Sequence, residues 1–356
     1  MRKLTNIMVT GGAGFIGANF INWLFKGTDF SGRIINFDKL TYAGNPESLK
    51  AVDETHGGER YFLVQGDICD RAKVEETLKA YDIDTIIHFA AESHVDRSIE
   101  GPEVFVQTNV MGTFTLLDAA RHYWGDREGV LFHHVSTDEV YGSLGETGFF
   151  YETTPYDPRS AYSASKASSD HLVRSYYHTY GLPITLSNCS NNYGPLQFPE
   201  KLIPVIIENI LNERNLPVYG DGKNIRDWLF VEDHNSAVWE IVNRGKTGES
   251  YNIGGENEWE NIQLVHKLCE LMAEKQGKDK DYFKKLITFV KDRPGHDRRY
   301  AINCDKLKNE LGWKQSLDFA EGLNKTVDWY LENREWVERV QSGEYRKWME
   351  INYSER

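Results

Sequence analysis

The run GGAGFIG, Gly11 to Gly17, follows a short β-branched segment (Thr5 to Thr10) and opens an apolar-periodic one (Phe15 to Phe25). Strand, tight turn and helix in immediate succession are the first half of a β-α-β unit, which commits the chain to a parallel sheet covered by helices. Gly11, Gly14 and Gly17 are spaced G-x-x-G-x-x-G. Glycine here permits the turn, lets backbone amides approach a pyrophosphate, and lets the helix pack closely on the strand. A glycine-rich turn without ligand duty has the same composition, but the flanking strand and helix favour the dinucleotide-binding reading.

A second strand, Arg33 to Phe37, ends at Asp38, about 20 residues past the glycines, where a carboxylate accepts hydrogen bonds from an adenosine ribose and repels a 2′-phosphate. That favours NAD over NADP, with Lys39 alongside as a counter-signal. Tyr61 to Val64 and Thr85 to Ala90 read as the third and fourth strands. Val130 to Val135 has the length and β-branching of a buried strand, so Thr137, Asp138 and Glu139 of STDEVYG fall at its carboxyl end, the edge at which open parallel sheets bind ligands. Tyr162 and Lys166 are four apart in a helical stretch, Ala161 to Tyr180, so they share a face. The ammonium is expected to lower the phenol's pKa and make it a usable base.

With 356 residues the chain exceeds one typical core, and two lobes are expected. No apolar run approaches a membrane span, and the N-terminus turns polar before a signal-peptide core could form, so a cytoplasmic protein without membrane attachment is expected. Four cysteines stand far apart with no zinc or redox spacing, and no metal site is expected. A net charge of −13 argues against nucleic acid and requires a local basic pocket for any anionic ligand. His88, His133 and His134 lie in apolar strands and read as structural. Leu144 to Arg159, rich in glycine, proline and aromatics, reads as a loop on the rim of the site. After Ile184 to Asn188 the pattern becomes irregular. Helices are expected at Glu200 to Asn212 and Ile262 to Glu274, with strands at Leu216 to Tyr219 and Ile287 to Val290.

Beyond the glycines, Tyr162 and Lys166, the runs AAESHVDRS (Ala90 to Ser98), STDEVYG, NCSNNYGP (Asn188 to Pro195), FPEKLIP (Phe198 to Pro204), RDWLFVEDH (Arg226 to His234) and DRPGHDRRY (Asp292 to Tyr300) recur in one order from end to end. On these the chain resembles the extended short-chain dehydrogenases/reductases, and within them the nucleotide-sugar 4,6-dehydratases that act on dTDP-glucose. The resemblance implies an α/β protein: a Rossmann-type doubly wound parallel sheet with a smaller α/β substrate-binding domain. The NAD-binding domain would span residues 1–190, rejoined by about 227–253, and the nucleotide-sugar domain residues 191–226 and 254–356. It implies NAD held by Gly11, Gly14, Phe15, Ile16, Gly17, Asp38, Lys39, Leu40 and Thr41, with Asp67 and Ile68 at the adenine, and by Phe89, Ala90, Ala91, Thr108, Tyr162, Lys166 and Asn192.

The same resemblance implies that the nucleotide sugar meets Ser93, Thr137, Asn191, Lys201, Leu202, Pro217, Tyr219, Arg226, Asn261, Arg293 and His296, Arg226 and Arg293 being suited to forked contacts on phosphate. It also implies a homodimer paired through Pro102 to Trp124 and Ala161 to Tyr180. Three functions remain open: a 4,6-dehydratase, a relative such as a UDP-sugar dehydratase, 4-epimerase or decarboxylase, and a non-enzymatic NAD-binding regulator. Elimination across carbons 5 and 6 needs both a base and an acid, which adjacent Asp138 and Glu139 supply. Thr137 would hold the 4-oxygen, and Tyr162 with Lys166 would support oxidation at carbon 4.

Overall fold

Seven parallel strands lie side by side in the computed structural model, which describes residues 2–341. They are β1 (Asn6–Thr10), β2 (Arg33–Asp38), β3 (Tyr61–Gln65), β4 (Thr85–His88), β5 (Leu131–Thr137), β6 (Ile184–Cys189) and, after three strands of the second lobe, β10 (Ser250–Ile253). The order is β10-β6-β5-β4-β1-β2-β3. The chain builds outward from β1 to β3, then returns to β1's other side for β4, which opens a crevice at the strands' carboxyl ends. β1, β4, β5 and β6 are buried along their whole length, as strands covered on both faces must be.

One face carries the helices Phe15–Gly27 and Val231–Arg244, whose Phe20, Leu24, Val238 and Ile241 join the same core cluster. The other carries Arg71–Ala80, Thr113–Trp124 and Ala161–Tyr180 through Val74, Leu78, Leu116, Ala120 and Val173. The expected strand histidines are buried and partnered: His88 bridges Thr10 (2.7 Å) and Thr113 (3.0 Å), and His133 bridges Thr185 (2.9 Å) and Ser187 (3.2 Å). Burial holds both rings well below the usual histidine range.

The second lobe has two small sheets. β7 (Asn191–Tyr193), β9 (Ile225–Phe230) and β11 (Glu258–Glu260) form one, with β9 central; β8 (Leu216–Tyr219) and β12 (Ile287–Val290) form the other. Helices Leu202–Leu211, Asn261–Lys275 and Phe319–Glu332 close over them. Ile203, Ile206, Ile207 and Ile210 are almost fully buried there, each side chain contributing about 1.5–3 kcal/mol.

Three expectations change. The segment around Asp227 to Val231, expected to rejoin the large sheet, pairs instead with β7 and β11, and only β10 returns to lie beside β6. Leu144 to Arg159 does not rim the crevice. Phe150 is buried against Tyr141, Tyr300 and Ile302, and backbone bonds run from Leu144 to Arg299 and from Phe150 to Ala301. The helical stretch from Pro102 to Trp124 contains a π segment, Val106–Gly112, rather than one regular helix. Residues 342–356 of the expected second domain lie outside the described residues. Among the described residues no helix is long and apolar enough to cross a membrane.

Candidate active site

Close packing builds the nucleotide end. Gly11 has φ +68°, and a Cβ on it would come within 2.7 Å of the Ala90 backbone; one on Gly17 would come within 2.3 Å of the Gly11 carbonyl. Only glycine lets the turn, β4 and the first helix meet this closely. That helix has no side-chain cap at Gly14, and its first residues, Phe15, Ile16 and Gly17, face the crevice, so amides and dipole are directed at an anion. Asp38 accepts from the Leu40 amide (2.8 Å) and the Ala13 amide (2.9 Å), tying the end of β2 to the glycine turn. Burial pushes its carboxyl up and these two bonds oppose the push. Lys39 turns away to Asp67 at 2.7 Å, so the cation beside Asp38 is already paired.

At the centre, Thr137 ends β5 and caps a 3-10 turn, Asp138–Tyr141, by accepting the Glu139 amide at 3.3 Å. This places both carboxylates at the crevice floor. Tyr162 and Lys166 project from the first turns of the helix Ala161–Tyr180, whose start is locked by reciprocal Ser160 and Ser163 hydrogen bonds. The expected phenol–ammonium relation changes here. Lys166 Nζ donates to the Val135 carbonyl (2.9 Å) and lies 3.4 Å from His134 Nε2, whose ring is 3.2 Å from Asp170. Burial pushes this ammonium down to about 8. The Tyr162 phenol is held well above its ordinary value by burial and by the nearby Glu139.

The two carboxyls differ. Burial, Glu139 and Asp227 push Asp138 well above the carboxylate range. Glu139 is also raised by burial, but Arg293, Arg226 and Lys201 pull it back. Neighbouring carboxyls pushed apart in this way are suited to opposite roles, acid and base.

Cations gather at the far end. Arg226 is buried over the Tyr300 ring (4.2 Å), donating to the carbonyls of Ile225 (2.8 Å) and Asp297 (3.0 Å). Arg293 lies 3.3 Å from Asp96, which also accepts from the Tyr219 hydroxyl at 2.8 Å. Lys201 donates to the Ser93 carbonyl (3.1 Å), and His296, pushed down to about 4 by burial and both arginines, pairs with Asp292 (2.6 Å). In a chain of net charge −13 this is the basic pocket an anionic ligand needs.

Every candidate named from the sequence except Leu40 lines one cavity of about 810 Å³. Leu40 stands behind it, its amide shaping the Asp38 turn at φ +58°. The side-chain oxygens of Asn191, Asn192 and Asn261 and the Nε of Arg293 are buried on this cavity without a hydrogen-bond partner among the described residues. Such groups are costly unless a ligand pairs them, and with the uncapped helix and Asp38 they fit a dinucleotide beside a polar, anionic substrate. The sequence reading missed Tyr42, Asp96, Arg97 and Glu200, which also line it. Asp96, Arg97 and Glu200 lie inside AAESHVDRS and FPEKLIP, so the motifs themselves were the available signal.

Residues 8–326 match the GDP-mannose 4,6 dehydratase family. The chain is 52% identical to a dTDP-glucose 4,6-dehydratase of Shigella flexneri, covering 98% of this chain and 99% of that one. Among solved structures it is similar to the Bacillus anthracis dTDP-glucose 4,6-dehydratase in complex with NAD, at 46% identity and TM-score 0.84 over 94% of this chain and 99% of that one. It is also similar to the Streptomyces venezuelae dTDP-glucose 4,6-dehydratase with NAD and TYD bound, at 44% identity and TM-score 0.86 over 94% and 100%. With the family match spanning most of the chain and about half its residues shared with such relatives from end to end, the protein belongs to the GDP-mannose 4,6 dehydratase family, on its dTDP-glucose 4,6-dehydratase branch.

Proposed function

We propose that the protein is an NAD-dependent dTDP-glucose 4,6-dehydratase, converting dTDP-glucose to dTDP-4-keto-6-deoxyglucose and water. The observation that carries this is the Asp138–Glu139 pair at the crevice floor beside Tyr162, one carboxyl raised well above the carboxylate range by burial and the other kept near cations. Oxidation alone needs Tyr162; only elimination needs an acid and a base together. NAD, when bound, supplies the oxidation at carbon 4 and the reduction at carbon 6. Gly11, Gly14 to Gly17, Asp38 to Thr41, Asp67, Ile68, Phe89 to Ala91, Thr108, Lys166 and Asn192 would hold it. Tyr162 serves the 4-hydroxyl, Glu139 removes the carbon-5 proton made acidic by the ketone, and Asp138 protonates the departing 6-oxygen. Lys201, Arg226, Arg293 and His296 hold the diphosphate, while Ser93, Asn191, Leu202, Pro217, Tyr219 and Asn261 surround sugar and nucleoside.

The lobe formed by residues 1–190, rejoined through β10, carries the cofactor, and the remainder carries the nucleotide sugar. A homodimer is supported by Val106, Met111 and Phe114, which are exposed along one side of the helical stretch after Pro102. A cytoplasmic location is supported by both ligands being metabolites of the cell interior.

The test is isotopic. dTDP-glucose deuterated at carbon 4 should yield 4-keto-6-deoxy product carrying the label at carbon 6, with UDP-glucose run in parallel. Label found at carbon 4 with inverted configuration would make the protein an epimerase.

A further inference from the structure

Lys166 carries a charge that its immediate contacts do not balance. The residue is 3% exposed, its Nζ donates to the Val135 carbonyl at 2.9 Å, and among the described residues no carboxylate touches it. An ammonium taken that far from water keeps its proton only where an opposite charge lies close; otherwise it becomes a neutral amine. The groups already assigned to the reaction supply no such charge, so the balance has to come from behind the cavity wall.

Asp170 stands one turn further along the same helix, fully buried and outside the cavity lining. Its Oδ2 accepts from the Ser136 hydroxyl (2.8 Å) and the Tyr156 hydroxyl (2.9 Å), with the Asn188 amide nitrogen at 3.4 Å. Arg174 donates to the Tyr156 oxygen at 3.2 Å, and because arginine only donates, the tyrosine's own proton is left for Asp170. An oxygen that receives these donors and gives none belongs to an ionised carboxylate. Oδ1 accepts no hydrogen bond among the described residues. It lies 3.2 Å from His134 Nε2, and the Lys166 ammonium approaches the same nitrogen at 3.4 Å. Carboxylate and ammonium thus flank one imidazole nitrogen. Burial holds that ring well below the usual histidine range, so it is neutral and adds no charge between them.

We propose that Asp170 is the counter-charge that keeps Lys166 an ammonium inside the closed site, with His134 as the neutral spacer that sets their separation. The inference rests on the reading of Lys166 as a residue that holds NAD, and on that reading Asp170 and His134 are positioning residues, since neither lines the cavity. Burial pushes the carboxyl up and the ammonium down, and each of the two is the first group to oppose the other's shift. Replacing one partner of such a buried pair leaves the other uncompensated. The other titratable groups facing the pair are His88 of β4, Cys189 of β6, Tyr141 of the 3-10 turn, Tyr156, and Tyr162 on the same helix; Arg174 is the other cation.

Asp170→Asn keeps the size and an oxygen for Ser136 and Tyr156 but removes the charge. Lysine labelled at its ε-carbon reports the ammonium by NMR in the NAD-bound protein, the Lys166 signal being identified by its loss in Lys166→Met. In Asp170→Asn the Lys166 titration should fall about one pH unit or more below that of the wild type. NAD affinity should follow it, matching the wild type at about pH 6 and falling about fivefold or more at about pH 8, whereas a merely structural defect would weaken binding equally at both. A reciprocal readout does not depend on how Asp170→Asn folds. Lys166→Met leaves Asp170 without its counter-charge, so isotope-labelled aspartate should show an additional carboxylic-acid infrared band at neutral pH that the wild type lacks. An unmoved lysine titration in Asp170→Asn, or no added band in Lys166→Met, would overturn the pairing and leave Asp170 an acceptor for Ser136 and Tyr156 only. Wild-type NAD affinity in Lys166→Met would instead remove Lys166 from the cofactor site, the failure of the underlying reading.

Discussion

Glu200 is a carboxyl in a nearly closed setting, 6% exposed, with Tyr42 at 3.4 Å from one oxygen and the other oxygen unpartnered among the described residues. Burial pushes it up to about 7 from an ordinary 4.5. A carboxyl whose folded value is raised favours the folded state fully below pH 4.5 and loses that advantage as pH rises toward 7. Glu200→Gln removes the titration. Relative to wild type the variant should gain up to about 3 kcal/mol between pH 4.5 and pH 8 in urea unfolding; a difference independent of pH would show that Glu200 is not buried as a charge. Arg226 makes the opposite case, since two of its donors are fixed on carbonyls and its plane lies over Tyr300. Lysine has neither fork nor plane, so Arg226→Lys should raise the Michaelis constant for dTDP-glucose by about 10-fold or more, checked by initial rates. The Arg226 motif was legible in the sequence because it sits among distinctive neighbours. The state of Tyr162 was not, because four residues' spacing on a helix says nothing of where the ammonium points, and Lys166 turns to the Val135 carbonyl.

At the scale of elements, strand–turn–helix at Gly11 was legible from local chemistry alone, and the structure adds that Asp38 braces the turn as well as facing the crevice. Asp38→Ala should therefore lower NAD affinity by about 10-fold or more while NADP affinity falls less, measured by calorimetry on the purified protein; equal losses would assign Asp38 to bracing only. β9 shows the limit of local reading. Its alternation and apolar content identify a buried strand, but the choice between β10's neighbourhood and the β7–β11 sheet is a long-range pairing that no periodicity encodes. The loop from Leu144 went astray for the same reason, since Phe150 seeks Ile302, far along the chain. The π segment Val106–Gly112 was equally hidden. It changes helix phase at Thr108, a cavity-lining residue, in a setting where such segments recur at functional sites.

For the whole molecule, the topology that makes the crevice also decides which surface is left for a partner. The large sheet's helices Thr113–Trp124 and Ala161–Tyr180 share one core and turn their outer faces to solvent. On the first, with the π segment before it, stand Val106 at 52%, Met111 at 44% and Phe114 at 38% exposure. On the second, Ala164, Ser168 and Ser175 are exposed and small enough to let another backbone approach, with His171 exposed between the two serines. An apolar ridge beside a strip of mostly small residues is self-complementary under a two-fold axis, each ridge lying on the partner's strip. The proposed dimer would thus be an isologous bundle of helices, and its contacts would reach within a turn or two of Thr108 on the cavity wall. Met111→Glu combined with Phe114→Glu places two carboxylates in that seam, where burial without cations is costly by several kcal/mol. Light scattering behind gel filtration should then report a monomer where the wild type reports a dimer. Because Thr108 rides on the same segment, NAD affinity of the monomer should fall by a further few-fold, while a wild-type mass equal to one chain would remove this face as an interface.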